Sequence, residues 1–226
     1  MELYTMSLLS RGFRRVLFEW RISGMRSGAA FDQEVLRSSA GLSHSPPAWI
    51  MDTYDVYTHT VSDPSMAISY ELARELHRIC ENVRPASVLE LGSGFSTYVL
   101  SRSLPAADAR LISVDDDPFW ASKTEAFLKQ QGVTHQKVEY IDAMPASLRF
   151  DIVFLDLNYV EVRKDFLQVS YDCCKEGGLL ILDDAHKADY MTEILSCSRH
   201  WQGTLYSLRH RTLDSMGRYS VAFCKK

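Results

Sequence analysis

The chain has 226 residues, with 25 lysines and arginines against 29 aspartates and glutamates, a formal charge of −4. Hydrophobic residues make up 46% and charged ones 24%, the balance of an ordinary globular protein that can bury a core without disulfide or metal staples. Mild acidity speaks against a protein that coats nucleic-acid backbone, and no apolar run reaches the roughly 18 residues a membrane span needs.

Residues 1–25 carry Arg11, Arg14, Arg15 and Arg21 among Leu8, Leu9, Phe13, Val16, Leu17, Phe18, Trp20 and Ile22, which reads as a basic amphipathic helix. Such a helix serves a membrane surface or organelle targeting, or it packs on its own domain or on a second subunit, which makes it the candidate homodimer contact. No secretory pattern is present. Cys80, Cys173, Cys174, Cys197 and Cys224 are odd in number and form no C-x-x-C pair. Free thiols in a reducing compartment follow, and a cytoplasmic location is expected.

From Ser23 to Ser45 the chain is rich in Gly, Ser and Ala, and Ser45-Pro46-Pro47 closes this stretch as a joint. Trp49, Ile50, Met51, Tyr54, Val56 and Tyr57 then form an aromatic, poorly periodic run. Residues 1–60 are accordingly expected to be an N-terminal extension supplying lid, substrate or dimer contacts, and residues 61–226 the main domain. Asp63-Pro64 predicts a helix start, and Met66, Ile68, Leu72, Leu76, Ile79 and Val83 carry a helical period to Arg84-Pro85.

Beyond Pro85 strands and helices alternate. Strands are predicted at 87–91, 111–114, 138–141, 150–155 and 178–182, with helices between them to about 104, 131, 174 and 200. Two closing strands are predicted at 203–208 and 219–224, joined by a polar loop. Continuous apolar strands separated by helices predict an α/β fold of Rossmann-like type, a mostly parallel sheet with helices on both faces.

The chemistry is read where the strands stop. In an open parallel sheet the carboxyl ends share one edge, and ligands bind in the crevice outside it. Glu90, Asp115, Asp142, Asp156 and the pair Asp183-Asp184 lie in or just after five successive strands. Such a rim repels itself unless hydroxyls, amines or a cation partner it, so a nucleoside bearing a charged amine suits it and a phosphate-rich ligand does not. Glu90-Leu91-Gly92-Ser93-Gly94 supplies glycines for close backbone approach. Asp115 follows Gly94 at about 20 residues, a spacing that suits ribose hydroxyls. A dinucleotide fingerprint would have Gly or Ala where Thr97 stands, and no P-loop is present.

Val88-Leu89-Glu90-Leu91-Gly92-Ser93-Gly94 resembles the first motif of class I S-adenosylmethionine-dependent methyltransferases, and the resemblance runs from about Asp63 to Cys224. It implies a seven-stranded sheet with an antiparallel last strand, a glycine loop (Gly92, Ser93, Gly94) facing the methionine part of the cofactor, Asp115 on the ribose, and Asp142-Ala143-Met144 along the adenine. Glu90 and Asp156 complete the implied cofactor-binding set. Within that family the chain is closer to metal-dependent small-molecule O-methyltransferases. Asp156, Asp183 and Asp184 match their metal-binding positions, which implies magnesium or another divalent cation and a small hydroxylated acceptor; three carboxylates suit such a hard ion. Asp183 and Asp184 as simple helix caps are the competing reading. The lysine base of catechol-type enzymes is replaced here by Tyr159, and an acid of the macrolide-sugar type by Asn158. The resemblance therefore assigns no base. His186, near the rim and of a residue type that ordinarily titrates near neutral pH, is the first candidate; Lys187 and Tyr159 are weaker, His59 belongs either to a lid from the aromatic N-terminal stretch or to an ordinary loop, and Trp120 either stacks on adenine or packs on its helix. A metal-independent N- or C-methyltransferase and a non-catalytic nucleoside-binding protein remain the alternatives.

Overall fold

The computed structural model describes residues 25–36, 46–104, 108–134, 136–143 and 147–226. The basic segment of residues 1–24 lies outside them, as does Met144. The described chain forms eight helices and seven strands. They are α1 (Gly28–Glu34), α2 (Ala48–Thr60), α3 (Tyr70–Val83), β1 (Ser87–Leu91), α4 (Phe95–Ser103), β2 (Arg110–Asp115), α5 (Pro118–Gln130) and β3 (Val138–Tyr140). After a 3-10 turn at Ile141–Ala143 come β4 (Phe150–Leu155), α6 (Val160–Cys173), β5 (Cys174–Leu182), α7 (Ala188–Ser198), β6 (Gly203–Ser207), α8 (Arg209–Thr212) and β7 (Val221–Lys225).

The sheet order is β3-β2-β1-β4-β5-β7-β6. The first five strands are parallel, and β7 runs antiparallel between β5 and β6. The chain leaves β1 to one side for β2 and β3, then returns for β4 on the other. Loops at the ends of β1 and β4 therefore diverge and leave the crevice where such sheets bind ligands.

Alternation along β1 and β4 sorts side chains onto two cores. Val88, Ile152 and Phe154 join a cluster with Leu72, Leu76 and Ile79 of α3 and Phe127 and Leu128 of α5. Leu89, Leu91, Val153 and Leu155 join Leu167 of α6 and Tyr190 and Ile194 of α7 on the other face. Residues before the expected boundary at 60 share this core: Phe31, Ile50 and Tyr57 are fully buried within the first cluster. Asp32 ties α1 down through Arg78 of α3 at 2.7 Å and Arg211 of α8 at 2.7 Å. Arg26 bridges to Tyr206 and covers the outer edge of β6.

Three local readings are revised. The aromatic run at 48–60 is a helix, because its apolar residues find partners on α3 and α4 that no periodicity within the run announces. A second helix, α1, forms inside the Gly/Ser/Ala-rich stretch, with the Ser27 hydroxyl accepting from the Ala30 amide. The helix expected at Asp63-Pro64 begins at Tyr70, capped by Ser69, whose hydroxyl accepts from the Leu72 amide. Asp63 instead accepts from the Ser65 amide at 2.8 Å, and its turn leaves Ser65–Ala67 as a loop over the sheet edge. No described helix is long and apolar enough to cross a membrane.

Candidate functional site

A cleft of about 300 Å³ opens at the carboxyl ends of β1, β2, β4 and β5. Of the expected rim, Gly92, Ser93, Asp115, Asp156, Asp183 and Asp184 line it. Asp117, Trp120, Asn158, Tyr159, Arg163, Lys187, Arg218 and the Ser65–Ala67 loop complete the walls.

The glycine loop is held by backbone geometry. Gly92 has φ +97, and a Cβ there would stand 2.2 Å from the carbonyl oxygen of Asp156. The Asp156 amide donates to Leu91 at 2.7 Å, so the ends of β1 and β4 are locked at this spacing. Gly94 caps α4, its amide donating to the Thr97 hydroxyl at 3.0 Å. Thr97 thus stands where a dinucleotide fold needs a small residue because it closes this turn. The buried Tyr57 ring of α2 covers Gly94; its hydroxyl would sit 3.1 Å from a Cβ there.

Asp115 sits almost fully buried at the end of β2. Its Oδ2 accepts from the Ser93 amide at 2.7 Å and hydroxyl at 2.6 Å, and its Oδ1 from the Asp117 amide at 2.9 Å. Burial raises its pKa, against the pull of those donors. Trp120 donates from its indole nitrogen to the Ser93 carbonyl at 2.8 Å, so it braces the loop while lining the cleft.

Glu90 does not line the cleft. It points onto the Val88 face, beneath the loop, fully buried. Its Oε2 accepts from the Ser113 hydroxyl at 2.5 Å, while its Oε1 has no hydrogen-bond partner in the structure. Burial pushes its pKa up to about 7. Asp142 is exposed in the 3-10 turn and is not among the cleft-lining residues.

The cluster expected to bind metal is arranged otherwise. Arg163, from the first turns of α6, reaches back over the end of β4 and is 5% exposed. Its guanidinium lies 2.7 Å from Asp156 Oδ1 and 2.9 Å from Asp184 Oδ2, and its Nε donates to the Leu157 carbonyl. Lys187 Nζ meets the same Asp184 Oδ2 at 2.6 Å. Asp183 Oδ1 accepts from the Ser220 hydroxyl at 2.6 Å. This arrangement does not fit a divalent ion, since side-chain cations already hold one oxygen each of Asp156 and Asp184 and a hydroxyl holds one of Asp183. No group of three or more His, Cys, Asp or Glu side chains disposed to hold a metal occurs among the described residues. Burial raises the pKa of Asp156 and Asp183, and Arg163 with Lys187 outweighs burial at Asp184 and lowers it.

His186 is not brought into the cleft. Asp184 adopts φ +57, a left-handed conformation that aspartate tolerates, and the Lys187 amide donates back to its carbonyl at 3.0 Å. That turn aims Lys187 at the cleft. The His186 Nδ1 is buried 3.5 Å from Asp184 Oδ1, and burial lowers the imidazole pKa. His59 projects from the exposed side of α2, its Nδ1 2.6 Å from the Asp55 carbonyl.

Sequence reasoning missed Arg163 and Arg218. A single arginine in Val160-Glu161-Val162-Arg163-Lys164 reads as part of a solvated helix face. The available signal was its place one turn into the helix after the β4 acid, from which a long side chain leans toward the helix N-terminus. Arg218 donates to the carbonyls of Pro64, Ser65 and Ala67 at 2.9–3.1 Å while paired with Asp214 at 2.6 Å, and so clamps the loop that roofs the cleft.

Residues 89–185 match the model of a methyltransferase domain family. No curated protein matches the chain. Among solved structures, the O-methyltransferase TomG from Streptomyces achromogenes, involved in tomaymycin synthesis and in complex with SAM, is 18% identical with a TM-score of 0.61, over 82% of this chain and 93% of its own. An O-methyltransferase from Bacillus cereus in complex with SAH is 15% identical with a TM-score of 0.61, over 87% and 97%. The SAH-bound methyltransferase PaMTH1 from Podospora anserina is 13% identical with a TM-score of 0.61, over 88% and 93%. The resemblance read from the sequence thus holds for the fold: the sheet shares the architecture of these solved methyltransferases, and residues 89–185 match the methyltransferase domain model.

Proposed function

We propose that this chain, a class I methyltransferase in fold, moves a methyl group from S-adenosylmethionine to a hydroxyl of a small molecule. The observation that carries this reading is the glycine cradle of Gly92–Gly94 beside Asp115, at the edge of a cleft rimmed by the further carboxylates Asp156, Asp183 and Asp184, of which Arg163 and Lys187 pair Asp156 and Asp184. A ligand bearing positive charge and ribose hydroxyls complements that rim. The unpartnered Glu90 Oε1 beneath the loop adds a further negative group on the same side. When bound, S-adenosylmethionine supplies an electrophilic methyl group on a sulfonium. Gly92, Ser93 and Gly94 would hold its methionine part and Asp115 its ribose.

The solved relatives named as O-methyltransferases support oxygen as the acceptor atom. Removing the acceptor's proton falls to a group in the cleft. Burial makes Asp156 and Asp183 more basic than free carboxylates, which suits them to that task. His186 stands aside, so His186→Ala is expected to change kcat by less than about tenfold, whereas loss of a general base typically costs about 10²–10⁴-fold.

Calorimetry with S-adenosylmethionine and with S-adenosylhomocysteine tests the binding half. Asp115→Ala is expected to weaken binding by about 1–3 kcal/mol, roughly five- to a hundredfold. Unchanged affinity would remove Asp115 from the cofactor site, and NAD binding in its stead would overturn the reading. Binding without methyl release to any hydroxylated acceptor would favour the nucleoside-binding alternative.

A further inference from the structure

We propose that Arg163 is the resident cation of this cleft: its guanidinium gathers Asp156 and Asp184 in place of a divalent ion, and the native protein works without one. The inference goes beyond the methyl-transfer reading, because it rests on how the chain itself neutralises three carboxylates. Asp156 and Asp184 leave from the ends of two neighbouring strands, and Asp183 lies beside them. Three such carboxylates repel each other unless cations stand between them. Arg163 meets two of them at 2.7 and 2.9 Å, and its third contact, to the Leu157 carbonyl, comes from the loop that follows β4.

A planar guanidinium is suited to this place. It cannot lose its proton, it presents donors in a fixed fork, and its stem is packed within the fold. Lys187 adds a second positive charge on the same Asp184 oxygen. A magnesium ion demands near-octahedral oxygens at about 2.1 Å, and here Arg163 and Lys187 already occupy the approach to Asp184. Arg163 is therefore a positioning residue. It sets the spacing of the β4 and β5 strand ends, and through Asp156 it borders the Gly92 cradle.

The inference makes an inverse demand on a variant. Without the Arg163 charge, the same carboxylates should acquire affinity for the ion that the native protein rejects. Manganese binding to the full-length protein, followed by electron paramagnetic resonance of free Mn²⁺ and by thermal unfolding, reads this without any turnover. Failure of the methyltransferase reading therefore leaves this test unaffected.

The native protein is expected to leave millimolar Mn²⁺ free, with no change in Tm. Arg163→Met is expected to bind it and to gain about 5 °C or more in Tm at saturating metal. Arg163→Lys, which keeps the charge, should not gain binding, and adding Asp156→Asn to Arg163→Met should abolish it. A helix arginine with a merely structural role would not convert its loss into metal affinity. If Arg163→Met folds only when Mn²⁺ is present, the inference is likewise supported. Submillimolar Mn²⁺ binding by the native protein that disappears in Asp156→Asn would overturn it. So would a folded Arg163→Met that binds no more Mn²⁺ than the native chain. Should Arg163→Met fail to fold under every condition, the native measurement alone decides.

Discussion

Gly92→Ala is expected to cost at least about 2–4 kcal/mol of stability and to abolish measurable cofactor binding. Two penalties act together. At φ +97 any Cβ strains the backbone, by roughly 1–2 kcal/mol. The added carbon would also stand 2.2 Å from the Asp156 carbonyl oxygen and 2.5 Å from its carbon, far inside contact distance. Neither partner can yield cheaply. Gly92 donates to Val114 at 2.8 Å and Asp156 donates to Leu91 at 2.7 Å, so relief requires prising β1 from β4 at the sheet's centre. Gly132→Ala is the control: φ is +79 there, yet nothing lies within 4 Å of an added Cβ, so about 1 kcal/mol is expected. Urea unfolding of the two variants measures the difference. Equal costs would show that β1 and β4 separate more readily than their hydrogen bonds imply, and the rigid cradle would have to be given up.

Glu90→Gln is expected to stabilise the free protein at pH 8 and to do little at pH 5. Burial, against the pull of hydroxyls from Ser113, Ser96 and Thr97, pushes the folded-state pKa of Glu90 to about 7, from an ordinary 4.5. A carboxyl raised on folding favours the folded state while protonated. Its contribution is complete below pH 4.5 and is lost as pH climbs through 7. A shift of this size corresponds to roughly 3 kcal/mol at 1.36 kcal/mol per unit. Glutamine keeps an acceptor for the Ser113 hydroxyl without the charge, so the variant should lose this slope. Denaturant unfolding between pH 5 and 8 reads it directly. Matching pH slopes in wild type and variant would mean that Glu90 is ionised at little cost, and its unpartnered oxygen would then have to be solvated. The advantage at pH 8 should be reversed in function: the cationic cofactor prefers the native carboxylate, so the more stable variant should bind it more weakly.

The strained Gly92 and the buried carboxylates of Glu90 and Asp115 thus lie together under and around the glycine loop. The same distribution explains which parts of the site could be anticipated. Gly92, Gly94 and Asp115 declare themselves by spacing, because a loop that approaches a ligand needs glycine and an acid at the end of the next strand needs a partner there. The three metal-matching aspartates were equally visible, and their convergence holds. Their chemistry did not follow, because residue type gives the charge of a cluster and not what neutralises it.

Local sequence by itself determined the strands from β1 to β5, the glycine turn and the sheet class, since continuous apolar runs between helical periods have few other solutions. Helices α1 and α2 were hidden, as their burial depends on partners distant in the chain: Tyr57 packs on Phe95 and Phe127, and Asp32 is held by Arg78 and Arg211. The tertiary structure alone decided that Arg163 turns inward, that Lys187 and not His186 faces the cleft, and that Arg218 clamps the Ser65–Ala67 roof. Each decision concerns a long or titratable side chain whose direction is set by the turn beneath it and by charges brought from other strands. Those charges become neighbours only once the sheet has formed.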